Sequence, residues 1–252
     1  MPQYRSPGSA PQFSHGSRAN IVTNGQLASE VEEITKSHPM EYLCNHPFFM
    51  VRWIENNRRE LLVDAIDPKP GEVVADIGCE RGHLLSMLHQ RCPELRRVYG
   101  ADLSRHALQE ARTVAEWEGW AAKAQFVHCD ARSVILPDNS ADVVISSNVL
   151  DHLPDPQEGF DELVRIVKPG GRIILNLPNE KRIVAAKRTL LRLGLQRLMG
   201  NLKLVTPGHL HYPDRQFVRD LVAGKARIRR MFLGPKISLV GLCVYAILEP
   251  TK

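Results

Sequence analysis

A chain of 252 residues, 43% hydrophobic and 24% charged, has room and composition for one α/β domain with appendages. No apolar run reaches the ~20 residues of a membrane-spanning helix, and no basic-then-apolar leader opens the chain, so a cytoplasmic protein is expected. The net charge of +5 is uneven: residues 1–180 hold 18 Lys/Arg against 25 Asp/Glu, residues 181–252 hold 15 against 3, and an anionic partner is sought in the last third.

Residues 1–25 are rich in Pro, Ser, Gly, Asn and Gln and read as a disordered tail. Residues 26–70 form a helical cap, with apolar positions at helical spacing up to Ile66 before Pro68 and Pro70. From residue 71 strands and helices alternate. Strands are predicted at Val73–Asp76, Val98–Asp102, Gln125–Cys129, Val143–Ser147 and Arg172–Leu177, with helices near 82–91, 104–118 and 157–168. Such crossovers predict an α/β fold with a doubly wound, mostly parallel sheet. Arg227–Leu233 and Ile237–Leu248 read as two more strands, for seven in all. A helical lid is expected over 180–213. The five cysteines (Cys44, Cys79, Cys92, Cys129, Cys243) show no C-x-x-C pair, which argues against a metal or disulfide framework.

The most informative stretch is Val73-Val74-Ala75-Asp76-Ile77-Gly78-Cys79-Glu80-Arg81-Gly82. Gly78 frees the backbone at the strand exit, and Gly82 lets the next helix start close to a ligand. Asp102 ends the second strand 20 residues after Gly82, about the interval at which an acid meets a ribose diol. A dinucleotide pyrophosphate would require G-x-G-x-x-G and would be repelled by Asp76 and Glu80. Those acids suit a nucleoside cofactor bearing an ammonium and a sulfonium. Asp76 and Asp102 could instead cap the helices that follow them, and Asp130 could be a turn residue.

Further pieces follow in order: Cys129-Asp130-Ala131, the block Ser146-Ser147-Asn148-Val149-Leu150-Asp151-His152-Leu153-Pro154-Asp155-Pro156, and Lys168-Pro169-Gly170-Gly171. Together with the Asp76–Gly82 turn, the set resembles the class I S-adenosylmethionine (SAM) dependent methyltransferases. The likeness is to the small-molecule type related to ubiquinone and menaquinone biosynthesis, over about residues 60–180. The resemblance implies a Rossmann-like methyltransferase fold. It implies SAM held by Asp76, Gly78, Glu80 and Gly82, with Asp102 and Leu103 at the ribose. Asp130 and Ala131 would meet the adenine, and Ser147 and Asn148 the methionine end. His152 faces the methyl-transfer region as a candidate base, the alternative being a structural hydrogen-bonder. His209, His211 and Tyr212 fall where the family anchors its substrate lid. The D-P-P-Y or N-P-P-F of amino-group methylators is replaced by Ser147-Asn148-Val149-Leu150.

Residues 181–203 combine seven Lys/Arg with no acid and recurrent leucines. They suit either a lid or peripheral contact with an anionic membrane. The acceptor expected is a small molecule, O- or C-methylated: a secondary metabolite, quinone-like, anionic or lipid-linked. Nucleic acid is not expected, because the basic region lacks interleaved aromatics. The alternatives are a methyltransferase-fold protein that binds SAM without turnover and an NAD(P)-dependent oxidoreductase, the latter disfavoured by the missing third glycine.

Overall fold

The computed structural model describes residues 29, 32–33, 49–194, 210–234 and 241–252. The proposed tail, His209 and most of 26–48 lie outside these residues, as do 195–208 and 235–240.

Seven strands form one sheet: β1 (Val73–Ile77), β2 (Arg97–Asp102), β3 (Ala124–His128), β4 (Ala141–Ser147), β5 (Val167–Pro178), β6 (Ala226–Gly234) and β7 (Cys243–Pro250). Their order is β3-β2-β1-β4-β5-β7-β6, with the first five parallel and β7 antiparallel to both its neighbours. The central strands β1 and β4 are buried along nearly their whole length because helices cover both faces. Alternation divides their side chains. Val74, Val143, Ile145 and Ile174 pack with α1 (Phe49–Ile66), α2 (His83–Arg91) and α3 (Arg105–Trp117). Ala75, Ile77, Val144, Ile173 and Leu175 pack with α4 (Pro156–Ile166) and α6 (Arg215–Val222). Helix α5 (Glu180–Arg192) follows β5.

Helix starts follow side-chain chemistry. Ser104 caps α3 by accepting from Ala107 N, Asp155 caps α4 ahead of Pro156, and Asp214 caps α6. The capping role foreseen for Asp102 thus belongs to Ser104. Three expectations shift. The fourth helix ends at Ile166, and β5 begins at Val167: Ala141 pairs with Val167 but Val143 pairs with Arg172, so Lys168–Gly171 loops out of the ladder. The basic helix ends at Arg192 because Gly194 adopts φ 68° and donates to the Leu191 carbonyl. Helix α6 was not foreseen; its signals are Asp214 followed by Val218, Leu221 and Val222.

From β1 the chain runs outward one way to β2 and β3, then returns to β4 on the other side. The crevice at the carboxyl ends of β1 and β4 is therefore the switch point, where ligands bind in open α/β sheets. Phe160 fills the core beneath this edge and has no exposed surface. Phe160→Ala should lower unfolding free energy by about 3–5 kcal/mol in urea titration.

Candidate functional site

The turn after β1 is clamped by β2. Gly78 N and Cys79 N both donate to the Ala101 carbonyl, at 2.7 and 3.0 Å. Glu80, in the left-handed region at φ 49°, donates its N–H to Asp102 Oδ2 at 2.8 Å. Gly78 has φ 84°, and a Cβ there would lie 2.1 Å from Val149 Cγ2. Glycine is thus required so that the turn after β4 can rest on the turn after β1. At Gly82 a Cβ would meet Ala111 on α3 at 3.1 Å, so this glycine also brings α2 against α3. No side chain caps the N-terminus of α2, leaving its first N–H groups for solvent or ligand.

Asp76 is 2% exposed, and its Oδ1 has no hydrogen-bond partner. Burial, reinforced by the charge of Asp102, pushes its carboxyl up to about 7. Asp102 Oδ1 accepts from Ser104 N at 2.8 Å. Burial also raises Asp102, against the lowering effect of the Ser104 and Glu80 N–H groups. Each oxygen of Asp102 keeps a lone pair for a further donor. The Glu80 side chain points outward, 63% exposed, beside buried Arg81, which also binds Glu110 at 2.5 Å. Only the backbone of Glu80 therefore shapes the turn. Leu103 offers its carbonyl to His128 Nε2 at 3.0 Å, joining the exits of β2 and β3.

Asp130 is held by Arg132: its Oδ1 accepts from Arg132 N (2.9 Å) and Nε (3.1 Å), and its Oδ2 from a terminal guanidinium nitrogen (2.7 Å). Burial raises Asp130, but these hydrogen bonds outweigh it and keep the carboxyl below its usual value. Asp130 thus organises its own loop, as the turn reading has it. Its neighbour Ala131 is half-buried beside Gly159 of α4.

At the exit of β4, Asn148 takes φ 54° and donates its N–H to the Asn176 carbonyl at 2.8 Å. Asn148 Oδ1 and Ser146 Oγ are buried without a hydrogen-bond partner. With Asp76 Oδ1 they lie at the exits of β1 and β4, two adjacent strands. Unpaired polar atoms concentrated at one edge mark a place made for a polar ligand. The short helical turn Leu150–His152 follows. His152 is 41% exposed, with Nε2 3.7 Å from the buried Asp151 carboxylate. The Asp151 carbonyl accepts from Leu210 N and His211 N. His211 Nε2 lies 3.0 Å from the Leu153 carbonyl, and its ring packs on Phe217. His211 thus anchors the incoming segment to the His152 turn, while Tyr212 stays exposed beside it. Among the described residues no three His, Cys, Asp or Glu side chains converge as metal ligands.

Sequence reasoning missed Arg58, Asn176 and Arg132. Arg58 on α1 binds Glu55 with two bonds of 2.6 and 2.9 Å, and it reaches Asn176 Oδ1 at 3.1 Å and Ser147 Oγ at 3.4 Å. The available signal was an Arg three residues after a Glu inside an apolar helix.

The raised Asp76 carboxyl sets a pH dependence. The folded chain holds this proton up to about pH 7, while the unfolded chain releases it near 3.8. Between those values the unfolded state binds fewer protons, so stability falls as pH rises. Thermal melts should show Asp76→Asn gaining stability over the wild type as pH goes from about 5 to about 8. A gap constant with pH would exclude the buried-acid account.

A family described as a methyltransferase domain matches residues 75–175. The chain is 34% identical over 108 residues to trans-aconitate 2-methyltransferase of Shigella flexneri, covering 43% of this chain and 40% of that protein. It is 28% identical over 121 residues to demethylmenaquinone methyltransferase of Desulfitobacterium hafniense, covering 48% of each. It therefore spans less than half the length of either relative. Magnesium protoporphyrin IX methyltransferase of Synechocystis, solved with S-adenosylhomocysteine (SAH), superposes with a TM-score of 0.64 at 16% identity, over 89% of this chain and 98% of that one. The seven-stranded sheet has the Rossmann-like fold of SAM-dependent methyltransferases, and residues 75–175, about two fifths of the chain, match the methyltransferase domain family.

Proposed function

We propose that this chain binds SAM in the crevice over β1 and β2 and catalyses transfer of its methyl group to a small-molecule acceptor held over β4 and β5. The observation that carries the reading is Asp76: a buried carboxylate with one oxygen unpaired, at the exit of β1 below a turn that donates its N–H groups backward to β2. An ammonium suits that oxygen and a phosphate does not. Bound SAM supplies an already activated methyl group, so orientation and exclusion of water are the protein's main contributions.

In this reading Asp76 faces the ammonium, Asp102 takes the ribose hydroxyls with its free lone pairs, and Ala131 offers its N–H to the adenine beside Asp130. Gly78, Gly82 and the Glu80 backbone shape the cradle. Ser147 and Asn148 meet the methionine end. His152 receives a proton where the acceptor is a hydroxyl, with the Asp151 carboxylate 3.7 Å from its ring. Tyr212 and the segment anchored by His211 border the acceptor, and His209 is assigned to the same border. Relatives named for trans-aconitate and demethylmenaquinone support a small acceptor, O- or C-methylated. The described cysteines are buried and unbridged, in keeping with a cytoplasmic setting.

A second role rests on α5. Leu191 and Leu193 (65% exposed) stand beside Arg188 and Arg192 on a helix whose Lys181 pairs with Asp214. That surface suits a lid over an acidic or lipid-tailed acceptor, and contact with an anionic membrane bearing it.

Labelled-methyl transfer from SAM into cell extract should depend on the protein; no incorporation, with SAH still bound, would favour a non-catalytic SAM-binding protein. Asp102→Ala should weaken SAH by about 1.5–3 kcal/mol in calorimetry, and unchanged affinity would leave Asp102 only its role in the turn. In vesicle co-sedimentation, adsorption to phosphatidylglycerol at low salt that fades at high salt is expected from α5. No adsorption at low salt would restrict the helix to a lid.

A further inference from the structure

Arg58 and Glu55 have no part in the roles assigned above. Arg58 approaches the crevice from α1, its side chain 17% exposed, over the exits of β4 and β5. Ser147 pairs with Asn176 in the ladder, and Arg58 donates to both side chains. Two strands away across β4, on the same face of the sheet, stands Asp76 with its unpaired oxygen. Adjacent strands lie about 4.8 Å apart, so the acid and the guanidinium flank a gap on the order of 10 Å at one edge. A ligand bearing both an ammonium and a carboxylate would meet a partner for each. So would an acidic acceptor seated next to the cofactor.

The cations around Glu55 suit an exchange of partners at Arg58. Asn176 is fully buried, its Oδ1 accepts from Arg58, and its amide lies against the Cys243 thiol and the Tyr245 hydroxyl. Glu55 binds Arg59 at 3.0 Å as well as Arg58. When Arg58 turns to another carboxylate, Glu55 keeps a cation, and no buried charge is left alone.

We propose that Arg58 is the carboxylate receptor of this crevice and that Glu55 holds its guanidinium in place until a ligand carboxylate arrives. The guanidinium fork matches a carboxylate with two parallel N–H···O bonds. Burial works against the Glu55 charge, but the Arg58 and Arg59 contacts prevail and keep it below its usual value, so the placeholder is ionised at neutral pH. The carboxylate comes from one of two sources, the amino-acid end of the cofactor or an acidic acceptor. The identification of the first source rests on the methyltransferase reading; the receptor itself does not.

Calorimetry on the full chain separates the sources. The probes are SAH, 5′-methylthioadenosine (which lacks the amino-acid end), and citrate or benzoate added to SAH-saturated and to ligand-free protein. If the cofactor supplies the carboxylate, Arg58→Met weakens SAH about tenfold or more and leaves methylthioadenosine unchanged. If an acceptor supplies it, SAH and methylthioadenosine respond alike, and a carboxylate probe binds SAH-saturated wild type but not Arg58→Met. In both arms Glu55→Gln tightens the carboxylate ligand severalfold while lowering the melting temperature. A purely structural pair would lower the melting temperature without tightening any ligand. Should Arg58→Met fail to fold, Glu55→Gln alone decides. Folded variants that bind every probe as the wild type does, or a Glu55→Gln that weakens carboxylate binding, overturn the proposal. A wild type that binds neither nucleoside overturns the methyltransferase reading instead, and citrate and benzoate still test Arg58.

Discussion

The Ala101 carbonyl, accepting two successive N–H groups from Gly78 and Cys79, is the constraint on which the site depends. It ties the turn after β1 to the neighbouring strand and bends the backbone so far that Gly78 needs φ 84° and Glu80 φ 49°. Asp102, one residue beyond Ala101, then takes the Glu80 N–H on its carboxylate. A single strand end thereby fixes the turn and the Asp102 carboxylate together. Because the turn is held by covalent neighbours and backbone bonds, little ordering remains to be done when a ligand arrives. The strain is held locally and stabilised by the packed strands on either side.

The same edge collects buried polar atoms. Asp76 and Asn176 occupy positions where the preceding residues on the same face of their strands, Val74 and Ile174, are fully buried and apolar. Each sits one alternation step beyond those residues and is itself buried. Burial there costs free energy unless a partner arrives, which is why the Asp76 carboxyl is raised while Asp130, clasped by Arg132, is lowered. Asp76 lies on β1 and Asp130 in the loop after β3, and their protonation differs because Asp130 has a cation within hydrogen-bond reach and Asp76 has only a second acid. Function is written in that contrast.

Strands β1 to β4 and helices α2 to α4 were legible because periodicity, glycine turns and caps agree along this stretch. The acids at strand ends were legible for the same reason: each closes a β-branched or apolar run. Glu80 shows where such reading stops. Its position in the motif suggested a side chain facing the ligand, but the left-handed backbone at that residue turns the carboxylate to solvent beside Arg81. Backbone hand is not encoded by residue type alone when the residue is not glycine. Arg58 was invisible for another reason: its partners Ser147 and Asn176 lie 89 and 118 positions away, and long-range pairing leaves no local pattern. Helix α6 was missed because eight residues give barely two turns of periodicity.

These differences locate the chemistry of choice. The matched segment 75–175 holds the turn after β1, Asp102 and the turn after β4. The residues that border the far side of the crevice come from outside it: Glu55 and Arg58 on α1, Asn176 at the end of β5, Tyr245 on β7, whose hydroxyl donates to the Arg58 carbonyl, and the segment pinned by His211. A cofactor common to a family can be held by common residues, whereas an acceptor particular to one member must be read by groups the others lack. The arginine on α1 brings a positive charge to Ser147 and Asn176 from outside the matched segment.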